Sequence, residues 1–267
     1  MSGTGSRGAS WLTAVVVAVV ACGLLTFALM TVQKKSAPPP PPTDSAAALR
    51  DAGFATTHTR TPRAPRDPHP TNATTGLVVR PNRVIGVYAE PDGDKPFAKL
   101  APKEFGENWL PAIARTDGWV QVLLPSKPNG ATGWVRSGMV AQGRTPYVIR
   151  VHLGLKQMEI FRDRNLVGAW KVAIGKDSTP TPTGRTFIHG QFSDTKQTFS
   201  PVIIPLGTHS PTLDDYGGGP GTVAFHGWPK ADVFGKAISH GCIRVPSDAL
   251  FQLRQIPVGS IVLIDKQ

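Results

Sequence analysis

The sequence predicts a mainly β protein: an N-terminal apolar helix, a small β-barrel, and a larger β-sandwich carrying one short helix. Three observations predict it. From residue 77 to about 142, short apolar segments are separated by turn-forming Gly, Pro, Asn and Asp. From residue 146 onward, apolar and polar residues alternate over strand lengths, as half-buried strands require. Helical spacing is confined to an apolar run near the start and a short stretch near the end.

The run WLTAVVVAVVACGLLTFALMTV occupies residues 11–32. As a helix it spans roughly 33 Å, which matches a hydrocarbon core of about 30 Å. It is too long for a signal-peptide core and no good small-residue cleavage site follows. Residues 1–33 are therefore expected to be a short tail and a retained membrane anchor. Val19-Val20-Ala21-Cys22 faintly suggests a lipid-acylation site, but the apolar run continues past Cys22. Arg7 precedes the run while Lys34 and Lys35 follow it, so flanking charge does not favour an external body.

Residues 34–76 read as a Pro-rich linker. Pro38 to Pro42 is unbroken, and TRTPRAPRDPHPTNATTG continues the bias. Such a stretch favours extended geometry, up to about 3.1 Å per residue. His58 and His69 are expected to be ordinary linker residues. Residues 77–143 carry RVIGVYAEP, NWLPAIAR, GWVQVLLP and TGWVRSGMV, five or six strands of a small barrel. Trp109, Trp119 and Trp134 either line a peptide or glycan groove or fill the barrel core. Residues 146–265 carry YVIRVHL, KQMEIFR, LVGAWKVAIG, GRTFIHG, PVIIP and TVAFHG as strands, a helix expected over 246–255, and SIVLID as a closing buried strand.

The formal net charge is +11, which favours anionic partners such as lipid headgroups or wall polymers. No zinc finger, basic helix or aromatic RNA-binding signature accompanies it, so nucleic acid is not an expected partner. The two cysteines, Cys22 and Cys242, do not make a disulfide-stapled domain.

Cys242 is the residue to explain. It lies in FHGWPKADVFGKAISHGCIRV with two histidines, His226 and His240. Thiol chemistry needs a base within reach, a group orienting that base, and donors for a developing oxyanion. His240 lies two residues from Cys242, on the same side of an extended chain. His226 ends an apolar strand, and the residues from Gly227 to Ile238 suffice for a loop returning to it. On spacing alone either histidine could be the base. Zinc is a rival, with His226, His240, Cys242 and His209 as ligand types, but no regular zinc spacing occurs. All seven histidines precede Cys242, which excludes the Cys-before-His order of papain-like enzymes.

His226-Gly227 followed by Ser239-His240-Gly241-Cys242-Ile243-Arg244-Val245 resembles the signature of the L,D-transpeptidase catalytic domain family. Gly175-Lys176 and Thr179-Pro180-Thr181-Pro182-Thr183-Gly184 resemble that family's second landmark, in the right order within residues 146–265. LLPSKPNGATGWV in the preceding unit resembles bacterial Src-homology-3-like domains. The resemblance implies Cys242 as nucleophile, His226 as the proton-transferring base, and the Gly227 carbonyl as its orienting group. It implies His240 as a supporting residue packed under the cysteine loop, and the Gly241 and Cys242 N–H groups as oxyanion donors. Arg244, Ser239, Trp228 and Tyr216 are expected on the substrate side. No cofactor or metal is implied. The implied reaction joins peptidoglycan stem peptides through 3→3 cross-links, with L,D-carboxypeptidase activity as the variant that uses water. The resemblance also implies acylation by carbapenems and an extracytoplasmic catalytic domain tethered to the cell membrane. The rivals are a non-catalytic wall-binding protein and a sortase, whose longer His-to-Cys interval and Thr-rich approach to the cysteine are not found here.

Overall fold

Two β units share the fold, and a strap of N-terminal chain crosses both. The computed structural model describes residues 44–195, 197–216 and 219–267. The apolar run at 11–32 lies outside the described residues. Among those described, no helix is long and apolar enough to cross a membrane.

The first unit has seven strands: β1 (Leu77–Pro81), β2 (Ile85–Val87), β3 (Ala98–Leu100), β4 (Leu110–Thr116), β5 (Trp119–Leu123), β6 (Thr132–Arg136) and β7 (Val140–Arg144). Five form a sheet in the order β6-β5-β4-β1-β7, and β2 pairs with β3. Backbone bonding between Tyr88 and Trp134 joins the two sheets. Val79, Ile85, Val87, Leu100, Leu110, Val120 and Val122 fill the space between them. Trp119 is part of that interior, whereas Trp109 and Trp134 are half-buried.

The second unit holds β8 (Tyr147–His152), β9 (Gln157–Arg162), β10 (Asn165–Lys171), β11 (Ile174–Gly175), β12 (Gly184–Phe187), β13 (Ile203–His209), β14 (Thr222–Gly227), β15 (Ala237–Ser239), β16 (Ile243–Val245) and β17 (Ile261–Asp265). One sheet runs β10-β9-β8-β17-β12 and a second runs β13-β14-β16. Ile149, Val151, Met158, Ile160 and Val262 of the first face Ile204, Leu206, Val223, Phe225, Ile243 and Val245 of the second across one apolar core. A helix at Ser247–Leu253, shorter than the expected 246–255, buries Ala249, Leu250 and Leu253 in that core. Pro246 is its N-cap residue, and its fixed φ suits a helix start.

The stretch expected to be an extended spacer is folded from residue 44 on. Helix α1 (Ala46–Arg50) is capped by Ser45, whose Oγ accepts the Ala48 N–H at 3.0 Å. Backbone pairing then ties Phe54 to Lys99, Arg60 to Lys127 and Arg66 to Ala131. Ala52, Ala55, Thr57, Thr61 and Ala64 are buried. The physical reason is that small Ala and Thr side chains need no core of their own. They fit against a barrel that already exists, and the barrel edge satisfies their backbone groups. Further along, Asp67 holds Arg185 of β12 in a two-pronged ion pair (2.8 and 2.6 Å) with both side chains almost fully buried. Phe187, also on β12, belongs to the core of the first unit. Strap, barrel and sandwich therefore share buried contacts.

Candidate active site

Register builds the site. Strand β14 runs parallel to β16, with Phe225 opposite Ile243, His226 opposite Arg244 and Gly227 opposite Val245. Val223, Phe225, Ile243 and Val245 point into the apolar core. Side chains alternate along a strand, so Ala224, His226, Cys242 and Arg244 share the opposite face. Cys242 sits one residue before β16, beside Ala224 and diagonal to His226. The two side chains are therefore near neighbours on one face of adjacent strands.

His226 is 7% exposed. Its Nδ1 lies 2.8 Å from the carbonyl oxygen of Gly227. A carbonyl only accepts, so Nδ1 carries the hydrogen and Nε2 is left with a free lone pair. Burial pushes the His226 pKa down to about 4; the Gly227 carbonyl works the other way, and Arg244 adds to the depression. Phe199 meets the ring at 4.9 Å between centroids and Trp228 at 6.1 Å.

Cys242 is a free, partly accessible thiol. Burial raises its pKa, while the Ala224 backbone and the Arg244 charge pull it down. The resting pair is thus a neutral thiol beside a neutral imidazole. The cysteine turn is braced from three sides. Gly241 has φ +114, a conformation L side chains rarely adopt. Ser239 Oγ accepts the Gly241 N–H (3.1 Å) and donates to the Cys242 carbonyl (2.5 Å). Thr179 Oγ1 donates to the Ser239 carbonyl (3.1 Å), and Thr181 Oγ1 donates to the Gly241 carbonyl (2.8 Å) while accepting the Gly175 N–H (2.9 Å).

A family model for the L,D-transpeptidase catalytic domain (YkuD) matches residues 146–264. YqjB of Bacillus subtilis (strain 168), named as an L,D-transpeptidase, is 32% identical over 131 residues, covering 45% of this chain and 70% of that protein. The chain belongs to the L,D-transpeptidase family. YkuD of the same organism is 29% identical over 122 residues, 45% of this chain and 67% of that protein. Among solved structures, the Ldtfm–avibactam carbamoyl enzyme aligns at 21% identity with a TM-score of 0.36. That match covers 46% of this chain, which spans about half (49%) of the matched structure.

The L,D-transpeptidase signature residues fall into place unevenly. Cys242, His226 and Arg244 share one face, and the Gly227 carbonyl meets His226 Nδ1. His240 does not pack under the cysteine turn. It is exposed, with its ring 5.3 Å from that of Tyr216 and its Nδ1 3.4 Å from the Tyr216 hydroxyl. The residue beneath the turn is Ser239, 1% exposed, because the β15 register with β11 turns that side chain inward. The Gly241 N–H, expected as an oxyanion donor, is engaged by Ser239 Oγ. Arg244 stacks its guanidinium 3.6 Å from the Trp228 ring centroid, and its Nε is buried without a hydrogen-bond partner. Tyr216 is 53% exposed. His209, a ligand type in the zinc alternative, hydrogen-bonds the Thr57 carbonyl at 2.7 Å beside the strap. Among the described residues no cluster of three or more His, Cys, Asp and Glu side chains is placed to hold a metal ion.

Three participants had no assigned role from the sequence: Thr179, Thr181 and Ser200. The threonines lie inside the second landmark, so their motif was visible even though their hydrogen bonds were not. Ser200 carries no local signal; it matters only because β13 returns beside β14.

Proposed function

We propose that the chain is a cysteine acyltransferase that forms 3→3 peptidoglycan cross-links. The observation that supports this most strongly is that His226, with Nδ1 held by the Gly227 carbonyl and Nε2 free to accept a proton, shares one face of the β14–β16 pair with Cys242. Nε2 takes the thiol proton as Sγ bonds to the carbonyl carbon of the third, L-centred residue of a tetrapeptide stem. The oxyanion is assigned to the Cys242 N–H; the Gly241 N–H joins only by leaving Ser239 Oγ. The imidazolium returns the proton to the leaving amine, the C–N bond breaks, and D-alanine departs from a thioester. The side-chain amine of a second stem then attacks, Nε2 takes its proton, and the released thiolate is reprotonated. Water in place of that amine gives L,D-carboxypeptidase activity.

Arg244, a cation on this face, is assigned to a donor carboxylate, with Trp228 holding its guanidinium flat. Tyr216 and His240 form the exposed rim of the substrate side. A carbapenem is expected to acylate Cys242 by the same attack. The barrel is proposed as Src-homology-3-like, with Trp109 and Trp134 left to line any groove, since Trp119 is core. Residues 11–32 are proposed to anchor the chain in the cell membrane with the catalytic domain on the wall side.

Purified tetrapeptide tests the reading. Incubation with the enzyme is expected to yield cross-linked dimers, monomers lacking D-alanine, or both; Cys242→Ala is expected to yield neither. Dimers persisting with Cys242→Ala contradict the proposal.

A further inference from the structure

We infer that Ser200 is a positioning residue for His226, an inference that rests on His226 being the base proposed above. Ser200 Oγ accepts the Gly227 N–H at 2.8 Å and donates to the Val202 carbonyl at 2.6 Å. Both bonds are buried, and Ser200 is 6% exposed. Gln197 fixes Ser200 in turn: its Oε1 accepts the Ser200 N–H (3.0 Å) and its Nε2 donates to the Ser200 carbonyl (2.8 Å). Phe199, between them, lies against the His226 ring.

The consequence follows from Gly227. The carbonyl of Gly227 selects the His226 tautomer, yet glycine is the residue least able to hold its own peptide in place. Ser200 grips the same residue by its N–H. A Cβ at position 227 would lie 3.2 Å from Ser200 Oγ and 3.3 Å from Leu250, so the missing side chain makes room for the hydroxyl. Residues 197–202 meet the base on its ring face and hold, by its N–H, the residue whose carbonyl orients it.

The test compares Ser200→Ala with Ser200→Thr, which keeps a hydroxyl, on tetrapeptide turnover and on the 15N ring signals of histidine. Ser200→Ala is expected to lower kcat about tenfold with KM changed less than about twofold. Its His226 signals should show a growing share of the Nε2–H tautomer, and Ser200→Thr should recover most of the rate. A folded Ser200→Ala enzyme with wild-type kcat and an unchanged Nδ1–H tautomer overturns the inference. If Ser200→Ala does not fold, Gln197→Ala decides: a drop in kcat of about threefold with the same tautomer drift supports the inference, and no change in either overturns it. Cys242→Ala run alongside separates the two ideas. Turnover by Cys242→Ala defeats the nucleophile assignment itself. An inactive Cys242→Ala beside an unaffected Ser200→Ala defeats only the role of Ser200.

Discussion

His226, the proposed base, is weakened by burial and fixed in tautomer by the Gly227 carbonyl. Its pKa of about 4 lies below the ordinary histidine value, so the imidazole is neutral and able to accept a proton at any pH above about 5. It is lost as a base only when acidification passes through pH 4. Cys242, raised by burial, keeps its proton at neutral pH. Acylation by a carbapenem should therefore hold a plateau from pH 8 down to about 5 and fall around pH 4. A fall centred near 6.5 would contradict the depressed value. The same pair predicts slow alkylation of Cys242 by iodoacetamide at pH 7, accelerating above pH 9. Rapid alkylation at pH 6 would point to a standing thiolate–imidazolium pair instead. The sequence carried the identities of these residues but not their charge states, because burial and the reach of Arg244 exist only in the fold.

At the scale of elements, two parallel strands and one loop make the site. Strands β14 and β16 send their apolar residues inward and their chemistry outward, and the alternation VAFHG and IRV was legible in the sequence. The 175–184 loop supports the cysteine turn through Thr179 and Thr181, and its motif was visible while its purpose was not. Replacing Thr181 by Val keeps the shape and leaves the Gly175 N–H and Gly241 carbonyl buried without that partner. The expected cost is about 2–3 kcal/mol in urea unfolding, with a slower acylation rate. An unchanged midpoint and rate would remove the loop's bracing role. The exposed position of His240 has a cause at the same scale. The resemblance implies a ring packed under the cysteine loop, and an extended chain would put it on the Cys242 side, whereas Gly241 at φ +114 turns the chain and leaves that ring exposed.

Over the whole molecule, the 44–76 strap is what composition hid. Proline and small residues read as a spacer, yet Asp44 accepts from the Gly86 N–H and the Tyr88 hydroxyl, and Asp67 neutralises Arg185 in the interior. These partners lie far apart in sequence, so no window along the chain reveals them. Asp67→Ala strands a buried guanidinium and is expected to destabilise the protein by about 3–5 kcal/mol, read from urea unfolding. A loss below about 1 kcal/mol would show the strap to be dispensable. The Arg60 and Lys127 contacts to Asp214 carry the strap and barrel to the loop before Tyr216, but they are solvent-exposed on the Asp214 side and contribute little. The central claim concerns one sulfur atom. Intact-mass measurement after incubation with a carbapenem, followed by peptide mapping, tests it most directly. The predicted result is a single adduct on the peptide holding Cys242, absent in Cys242→Ala and much slower in His226→Gln. No adduct on the wild-type protein, or one that survives in Cys242→Ala, would contradict it.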